Sequence, residues 1–353
     1  MVRGFRNAGF VVLPILSGLA HAQSSVSFFG TIDLSITHVS SGGGGSRTQL
    51  ASGQGYPSRF GFRGTEDLGG GLSAGFWLES EMYADTGAIQ DPYFARRATV
   101  SLSGSLGEIR LGRDFAPSYL NNNSFDPFSN RGAAKGMSFS NFAATDRTSN
   151  GVTYFLPPNL GGFYGMVQYA FGEAVSNVPN DKQGNYVGAR FGYNKGPINA
   201  AVAIGKYDQY IGASNAMPVA IGHGLRVSNV GASYDFDFLK LSGFYGREDI
   251  RGGPIGASVL DSMWMAVSIP VGSGLIRASV GKYDTKDSDN DWRKFGIGYS
   301  YFLSKRTQVY GVAAVLKNRK GSTHSIIPNN TPAIVPLAGR SSTGFDFGIQ
   351  HNF

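Results

Sequence analysis

The chain has 353 residues, of which 51 are Gly, 25 Phe and 17 Tyr, none is Cys, and only 16% are charged, with a formal net charge of +7. Glycine at roughly twice its ordinary share of about 7% excludes a helix-rich domain, 15 Pro without a Gly-X-Y repeat exclude collagen, and 41% hydrophobic residues exclude a disordered chain. The basic residues are scattered and form no arm or helical patch, so a pI near 9.4 points to no nucleic-acid partner.

Taken from its start, the chain opens on a basic pair, Arg3 and Arg6, followed by a mostly apolar stretch over 8–20 and by Ala20-His21-Ala22, which offers small residues to a signal peptidase. The pattern predicts a secretory signal over 1–22 and a mature chain over 23–353. Export without a single Cys means that no disulfide supports the fold.

From Val26 every second residue is mostly apolar (Val26, Phe28, Ile32, Leu34, Ile36), the period of a strand with one apolar and one polar face. The same signal recurs over 54–64, 72–82, 94–104, 108–112, 151–157, 163–171, 186–194, 198–207, 225–234, 239–248, 262–269, 275–283, 292–303 and 308–317. It ends the chain as well, where Phe345, Phe347, Ile349 and Phe353 share a face. The total is sixteen strands, an even number. Short turns alternate with long polar segments, the longest being 113–149 and 318–341. That alternation requires antiparallel neighbours with every long loop on one side, the plan of bacterial outer-membrane barrels and not of a soluble sandwich. No window holds the ~18 apolar residues of a membrane helix, but strands with one apolar face leave none. Because hydrocarbon offers backbone groups no partner, strands cross it only as a closed ring. The fold class is therefore all-β, a 16-stranded antiparallel transmembrane β-barrel with a watery lumen.

Parity assigns side chains to faces. Phe60 and Phe62 take the lipid side and leave Arg59 and Arg63 in the lumen, since an arginine facing lipid at the midplane costs about 2–4 kcal/mol. Asp33, Glu79 and Glu81 alternate with outward apolar residues, which makes them lumenal partners for the arginines, and Trp77 shares their parity. Ala98, Val100 and Leu102 read as outward and leave Arg96 and Arg97 ambiguous. Chemistry of other kinds finds no support. The five His lack ligand spacing, and Asp287, Asp289 and Asp291 read as a solvated loop in preference to a Ca²⁺ site of oxygen ligands, the alternative their spacing leaves open. GGGG at 42–45 reads as a flexible loop and GGG at 69–71 as a tight turn, and no GxSxG motif occurs. No cofactor, metal or catalytic site is expected, and so no enzyme.

The stretches SSVSFFGTIDLSI at 24–36, SRFGFRGTEDLGGGLSAGFWLE at 58–79, SLSGSLGEIRLGR at 101–113, NGVTYFLPPNLGGFYGMVQY at 150–169 and FDFGIQHNF at 345–353 resemble the trimeric general porins of Gram-negative bacteria, most closely the beta-proteobacterial branch. The resemblance implies a homotrimer among outer-membrane lipids, passive diffusion of small hydrophilic solutes, and a third long loop, 113–149, folded inward as a constriction. It matches Asp126-Pro127-Phe128 and the preceding Asp114 to the acidic loop, and Arg59, Arg63, Arg96 and Arg147 to the facing arginine row. It makes Phe353 the terminal aromatic that the outer-membrane assembly machinery reads. This chain departs from the family after Asp126, where Arg131 and Lys135 stand in a stretch that often holds a second carboxylate. The expected channel is weakly anion-selective. The alternative is a channel dedicated to small anions such as organic acids or phosphate, with the arginine row as its binding site.

Overall fold

The computed structural model describes residues 25–136, 146–177, 181–208, 211–214, 217–220, 224–251 and 257–353, so the expected signal segment at 1–22 lies outside the described residues. Along the first third of the chain run β1 (Ser25–Ser41), β2 (Gly45–Ser52), β3 (Arg59–Gly69), β4 (Leu72–Tyr83), β5 (Ala88–Ile89), β6 (Arg97–Gly104), β7 (Gly107–Phe115) and the helix α1 (Pro117–Phe125). Then come β8 (Arg147–Phe155), β9 (Phe163–Ala170), β10 (Tyr186–Lys195), β11 (Ile198–Asp208), β12 (Ile211–Ser214), β13 (Met217–Ala220), β14 (Gly224–Asp235) and β15 (Lys240–Ile250). The last are β16 (Ser258–Val271), β17 (Gly274–Thr285), β18 (Trp292–Phe302), β19 (Thr307–Asn318) and β20 (Ser342–Asn352).

Sixteen of these form one closed antiparallel ring; β2 and β5 are additions to the wall, and β12 pairs only with β13. Closure runs through β1 and β20, in register from Thr31 opposite Asn352 to Ser41 opposite Ser342. Phe353 extends it beyond the strand: the Gly30 N–H donates to its carbonyl at 3.1 Å and its own N–H donates to the Gly30 carbonyl at 3.0 Å. The two faces separate as lipid and water demand. On β20, Phe347 is 63% exposed and its neighbour Asp346 only 1%.

Several boundaries differ from the sequence reading. The run 42–45 is a hairpin turn, not a flexible loop, with Gly43 and Gly45 at φ of +80° and +94°, conformations that glycine adopts without strain. It folds β2 back onto the upper half of β1, while the lower half of β1 pairs with β3. The expected strand 54–64 begins only at Arg59, because the Asp33 carboxylate takes the N–H groups of Gln54, Gly55 and Tyr56 away from any ladder. The short strand 108–112 reaches Phe115 through a register shift between Gly112 and Asp114. Gly112 sits at φ +116°, and a Cβ there would lie 2.1 Å from the Ala98 carbonyl, so the bulge needs glycine.

The segment after β7 packs on inward-facing wall residues. Asn121 of α1 donates through Nδ2 to the Asn229 side chain of β14 at 2.8 Å. The Phe125 ring lies against Gly231, where a Cβ would come within 2.1 Å of it. Further along, the Ala133 N–H donates to Asp346 of β20 at 2.7 Å.

The ring of Phe353 meets that of Phe28 on β1 at a centroid distance of 5.6 Å, and such a pair adds about 0.5–1.5 kcal/mol beyond area burial. Phe353→Ser keeps the backbone bonds and removes the ring, so the folded barrel loses stability of that order. A fall in the urea midpoint of the refolded protein, with an unchanged slope, is the expected result.

Candidate functional site

The charged residues concentrate on the inner face of β3, β4, β6 and β7, where the strands carry cations and carboxylates at matching heights. Arg59 of β3 stands opposite Glu81 and Arg63 opposite Trp77 on β4, while Glu79 stands opposite Arg97 on β6. Glu79 accepts from Arg59 at 2.8 Å and from Arg96 at 2.5 Å, and Glu81 accepts from Arg96 at 2.7 Å. Arg96 has only 5% of its side chain exposed and is clamped between two carboxylates. Below it, Arg110 of β7 bonds Glu108 and Asp114, with Arg97 3.7 Å from the same Asp114.

The parity question at Arg96 and Arg97 resolves without a bulge. β6 starts at Arg97, which is inward by alternation, while Arg96 precedes the strand and turns its side chain inward through its own backbone bond to the Glu79 carbonyl. Trp77 donates through Nε1 to Glu79 at 2.8 Å, and its ring lies between the guanidinium groups of Arg63 at 5.1 Å and Arg97 at 4.5 Å. Arg63 also approaches the Phe29 ring at 5.3 Å; it is exposed and has no carboxylate partner among the described residues. Aromatic faces attract a guanidinium without neutralising it.

Four sequence expectations require correction. Asp114 belongs to the wall strand β7 and sits among the arginines, because the bulge at Gly112 prolongs the strand past the expected end. Asp126 is buried: its carboxylate accepts the N–H groups of Phe128, Asn130 and Gly136, which makes it the staple of its own loop and not a group facing the arginine row. Asp33 pairs with no arginine among the described residues and instead holds residues 54–56 together with the Tyr310 hydroxyl of β19 at 2.8 Å. Arg147 is anchored, donating to the Arg96 carbonyl at 2.7 Å and pairing with Asp146, with 6% of its side chain exposed. From the loop, Arg131 crosses to Glu81 at 3.3 Å.

Sequence reasoning passed over further inward cations, each flanked by outward residues. Arg190 of β10 donates to Asn121 and Ser124 of the α1 helix. Arg277 of β17 donates to the Pro127 carbonyl, and Lys294 of β18 to the Lys135 carbonyl. The signal was present: Arg110 stands between Ile109 and Leu111, and Arg277 between Ile276 and Ala278.

In the loop, burial raises the Asp126 carboxyl above its ordinary value, against the pull of its three N–H donors. Lys135 is pushed down to about 8, first by burial and then by Arg131, with Asp346 and Asp126 opposing. Asp126, Arg131, Lys294 of β18 and Asp346 of β20 are the charged groups around it. Since the charged form is the disfavoured one, enclosing Lys135 costs stability below about pH 8, and that cost is relieved as pH rises towards the ordinary 10.5.

Comparison with known proteins decides what this barrel is. The sequence pattern that defines Gram-negative porins matches residues 9–321. The chain belongs to the Gram-negative porin family. It is 38% identical to outer membrane porin protein 32 of Delftia acidovorans over 97% of this chain and 99% of that one. It is 24% identical to the major outer membrane protein P.IB of Neisseria meningitidis serogroup B over 94% of this chain and 95% of that one. Among solved structures, an anion-selective porin from Comamonas acidovorans matches with a TM-score of 0.82 and 36% identity, covering 94% of this chain and 100% of that chain. This protein is therefore a porin of the outer membrane, and its sixteen-stranded barrel is the pore wall.

The pairs in this porin differ in what their loss does. Arg96→Ala leaves Glu79 and Glu81 enclosed with one cation each, and breaking a buried pair costs about 3–5 kcal/mol. Arg63→Ala removes an exposed cation and its aromatic contacts and costs only about 0.5–1 kcal/mol. Denaturant midpoints of the two variants, compared in one detergent, check the contrast.

Proposed function

We propose that this porin passes small hydrophilic solutes with a weak preference for anions, through a lumen narrowed by the segment between β7 and β8. The observation that carries the reading is a count at one place. Six arginines (Arg59, Arg63, Arg96, Arg97, Arg110, Arg131) meet four carboxylates (Glu79, Glu81, Glu108, Asp114), an excess of two positive charges, with Arg63 unpaired. Arg147 and Asp146 cancel each other. Basic rows in a low-dielectric rim raise the local concentration of anions. The Comamonas acidovorans relative is described as anion-selective, in line with this reading. Of the row inferred from family resemblance, Arg63 acts on passing ions here, joined by Arg97 from outside that row, while Arg59, Arg96 and Arg147 hold the wall.

In the same reading residues 1–22 are removed on export, the mature chain 23–353 assembles as a homotrimer, Phe353 is read by the outer-membrane assembly machinery, and transport is diffusion with no catalytic step. An SDS-resistant species that heating converts to a slower monomer on a gel is the expected mark of the trimer.

Selectivity is tested by the reversal potential across a KCl gradient in dilute salt, where screening is weakest. The native channel prefers Cl⁻, and Arg63→Ser with Arg97→Ser moves the potential most of the way to zero. A native preference for K⁺, or a double variant indistinguishable from it, overturns the reading. Saturable block by one small carboxylate or phosphate marks the dedicated channel instead.

The selectivity also depends on pH. With Lys135 at about 8, raising pH from 7 to 9 neutralises it and lowers the Cl⁻ preference. Lys135→Met reproduces part of that fall at pH 7 and shows a smaller change up to pH 9.

A further inference from the structure

On the short-turn side of the charged row, the inner wall carries a corner made of two rings. Phe29 of β1 and Trp77 of β4 stand on either side of β3 and meet edge to face at a centroid distance of 5.1 Å. Both are half-buried and inward by alternation, since Phe28 and Phe76 beside them are exposed on the outer face. The Phe29 ring lies over Gly61 of β3, where a Cβ would come within 2.8 Å of it, so the corner requires a residue without a side chain at that point.

Arg63 stands beside this corner. Its guanidinium lies 5.3 Å from the centroid of Phe29 and 5.1 Å from that of Trp77, and none of its five N–H groups has a hydrogen-bond partner among the described residues. The neighbouring inward arginines are already bonded, Arg59 and Arg96 to Glu79, Arg97 to Thr99 and Arg110 to Asp114. Arg63 also stands apart from the crowded pairs, four residues along β3 from Arg59, about 13 Å at strand spacing. Ser27 is opposite it on β1, and the next inward row towards the short turns is Thr65, Gly75 and Ser101 in register. These short side chains leave a recess at the foot of the two rings.

A guanidinium with free N–H groups offers a planar fork that matches a carboxylate. Aromatic rings pack on one another in offset or edge-to-face geometry, as Phe29 and Trp77 already do. An open arginine between two rings, above a recess, therefore has both halves of a site for a flat aromatic acid, whereas chloride or an aliphatic acid engages only the cation. We propose that the corner of Phe29 and Trp77 binds small aromatic carboxylates of the benzoate class, with the carboxylate on Arg63 and the ring against Phe29 and Trp77 over Thr65 and Gly75. The inference rests on the anion preference proposed above and adds a solute class to it.

Tryptophan emission reads the binding without any current, because Trp264 and Trp292 are buried at 4% and 0% exposure and Trp77 is the half-buried one. The intact oligomer in detergent is titrated with benzoate, with cyclohexanecarboxylate, which has the same charge and similar size but no flat ring, and with uncharged benzamide. Benzoate changes the emission saturably at a concentration several-fold lower than either of the others. Phe29→Leu removes that difference, Phe29→Tyr keeps it, and Arg63→Gln weakens the response to both carboxylates. Heat-modifiability of each variant establishes that the barrel is folded. Equal response of the native protein to benzoate and cyclohexanecarboxylate overturns the proposal, as does a response to benzamide as strong as that to benzoate or a preference for benzoate that survives Phe29→Leu. Any of these in a channel whose reversal potential still shows Cl⁻ preference overturns the aromatic site alone, while a native preference for K⁺ overturns the reading on which it rests.

Discussion

A backbone amide in hydrocarbon has no water to turn to, and that requirement for internal pairing governs everything else in this porin. It forces the strands into a ring, and a ring has a last bond to make. Here that bond is the seam between β1 and β20, prolonged by the reciprocal contact of Phe353 with Gly30. β1 must also serve two partners on its other edge, β3 below and β2 above. The turn over 42–45 and the carboxylate of Asp33, which gathers the N–H groups that follow β2, manage this change of partner. A fully buried carboxylate on the inner side of β1 is thus first an element of the wall's construction.

Closure in turn makes the lumen a place where charges can be both numerous and ordered. With water on one side and the wall on the other, each guanidinium is partly desolvated and needs a carboxylate or an aromatic face. Arg96 has two carboxylates and Arg97 has both Asp114 and a face of Trp77, while Arg63 has only the rings of Trp77 and Phe29. The first arrangement neutralises charge and fixes geometry. The purely aromatic arrangement of Arg63 leaves its charge unneutralised. Under the proposed anion preference, what separates a structural arginine from a selective one is the chemistry of its partner, since all three lie within one patch of wall.

The outline of this barrel was legible because lipid writes period two into each strand: Phe345, Phe347 and Ile349 against Asp346 and Gln350 give the face directly. The same parity placed Arg59 and Arg63. It failed where no face meets lipid or where alternation breaks. β2 reads GSRTQLAS, polar on both sides, and so looked like loop. Gly112 shifts the register of β7 and hid that Asp114 belongs to the wall. Parity makes Asp33 a partner for the arginines and resemblance does the same for Asp126, whereas each binds backbone N–H groups, a role with no distinctive local sequence. The partner of Asp33 on β19 lies 277 residues away. Family resemblance proposes an arginine row and a facing loop, but cannot say which arginines are already engaged by carboxylates.

The loop that follows β7 is held in two unlike ways, and the contrast bears on how the lumen behaves. On the side of α1 the contacts are short and mostly uncharged, with Asn121 on Asn229 and Phe125 over a bare glycine, so they are indifferent to salt. On the other side, Arg131 reaches Glu81, and Lys135 sits among Asp126, Lys294 and Asp346, so those contacts depend on ionisation. A change of pH therefore alters the charge of one end of the loop while the other end keeps it in place. In the proposed reading selectivity therefore varies with pH while the uncharged contacts of α1 keep that side of the loop in place.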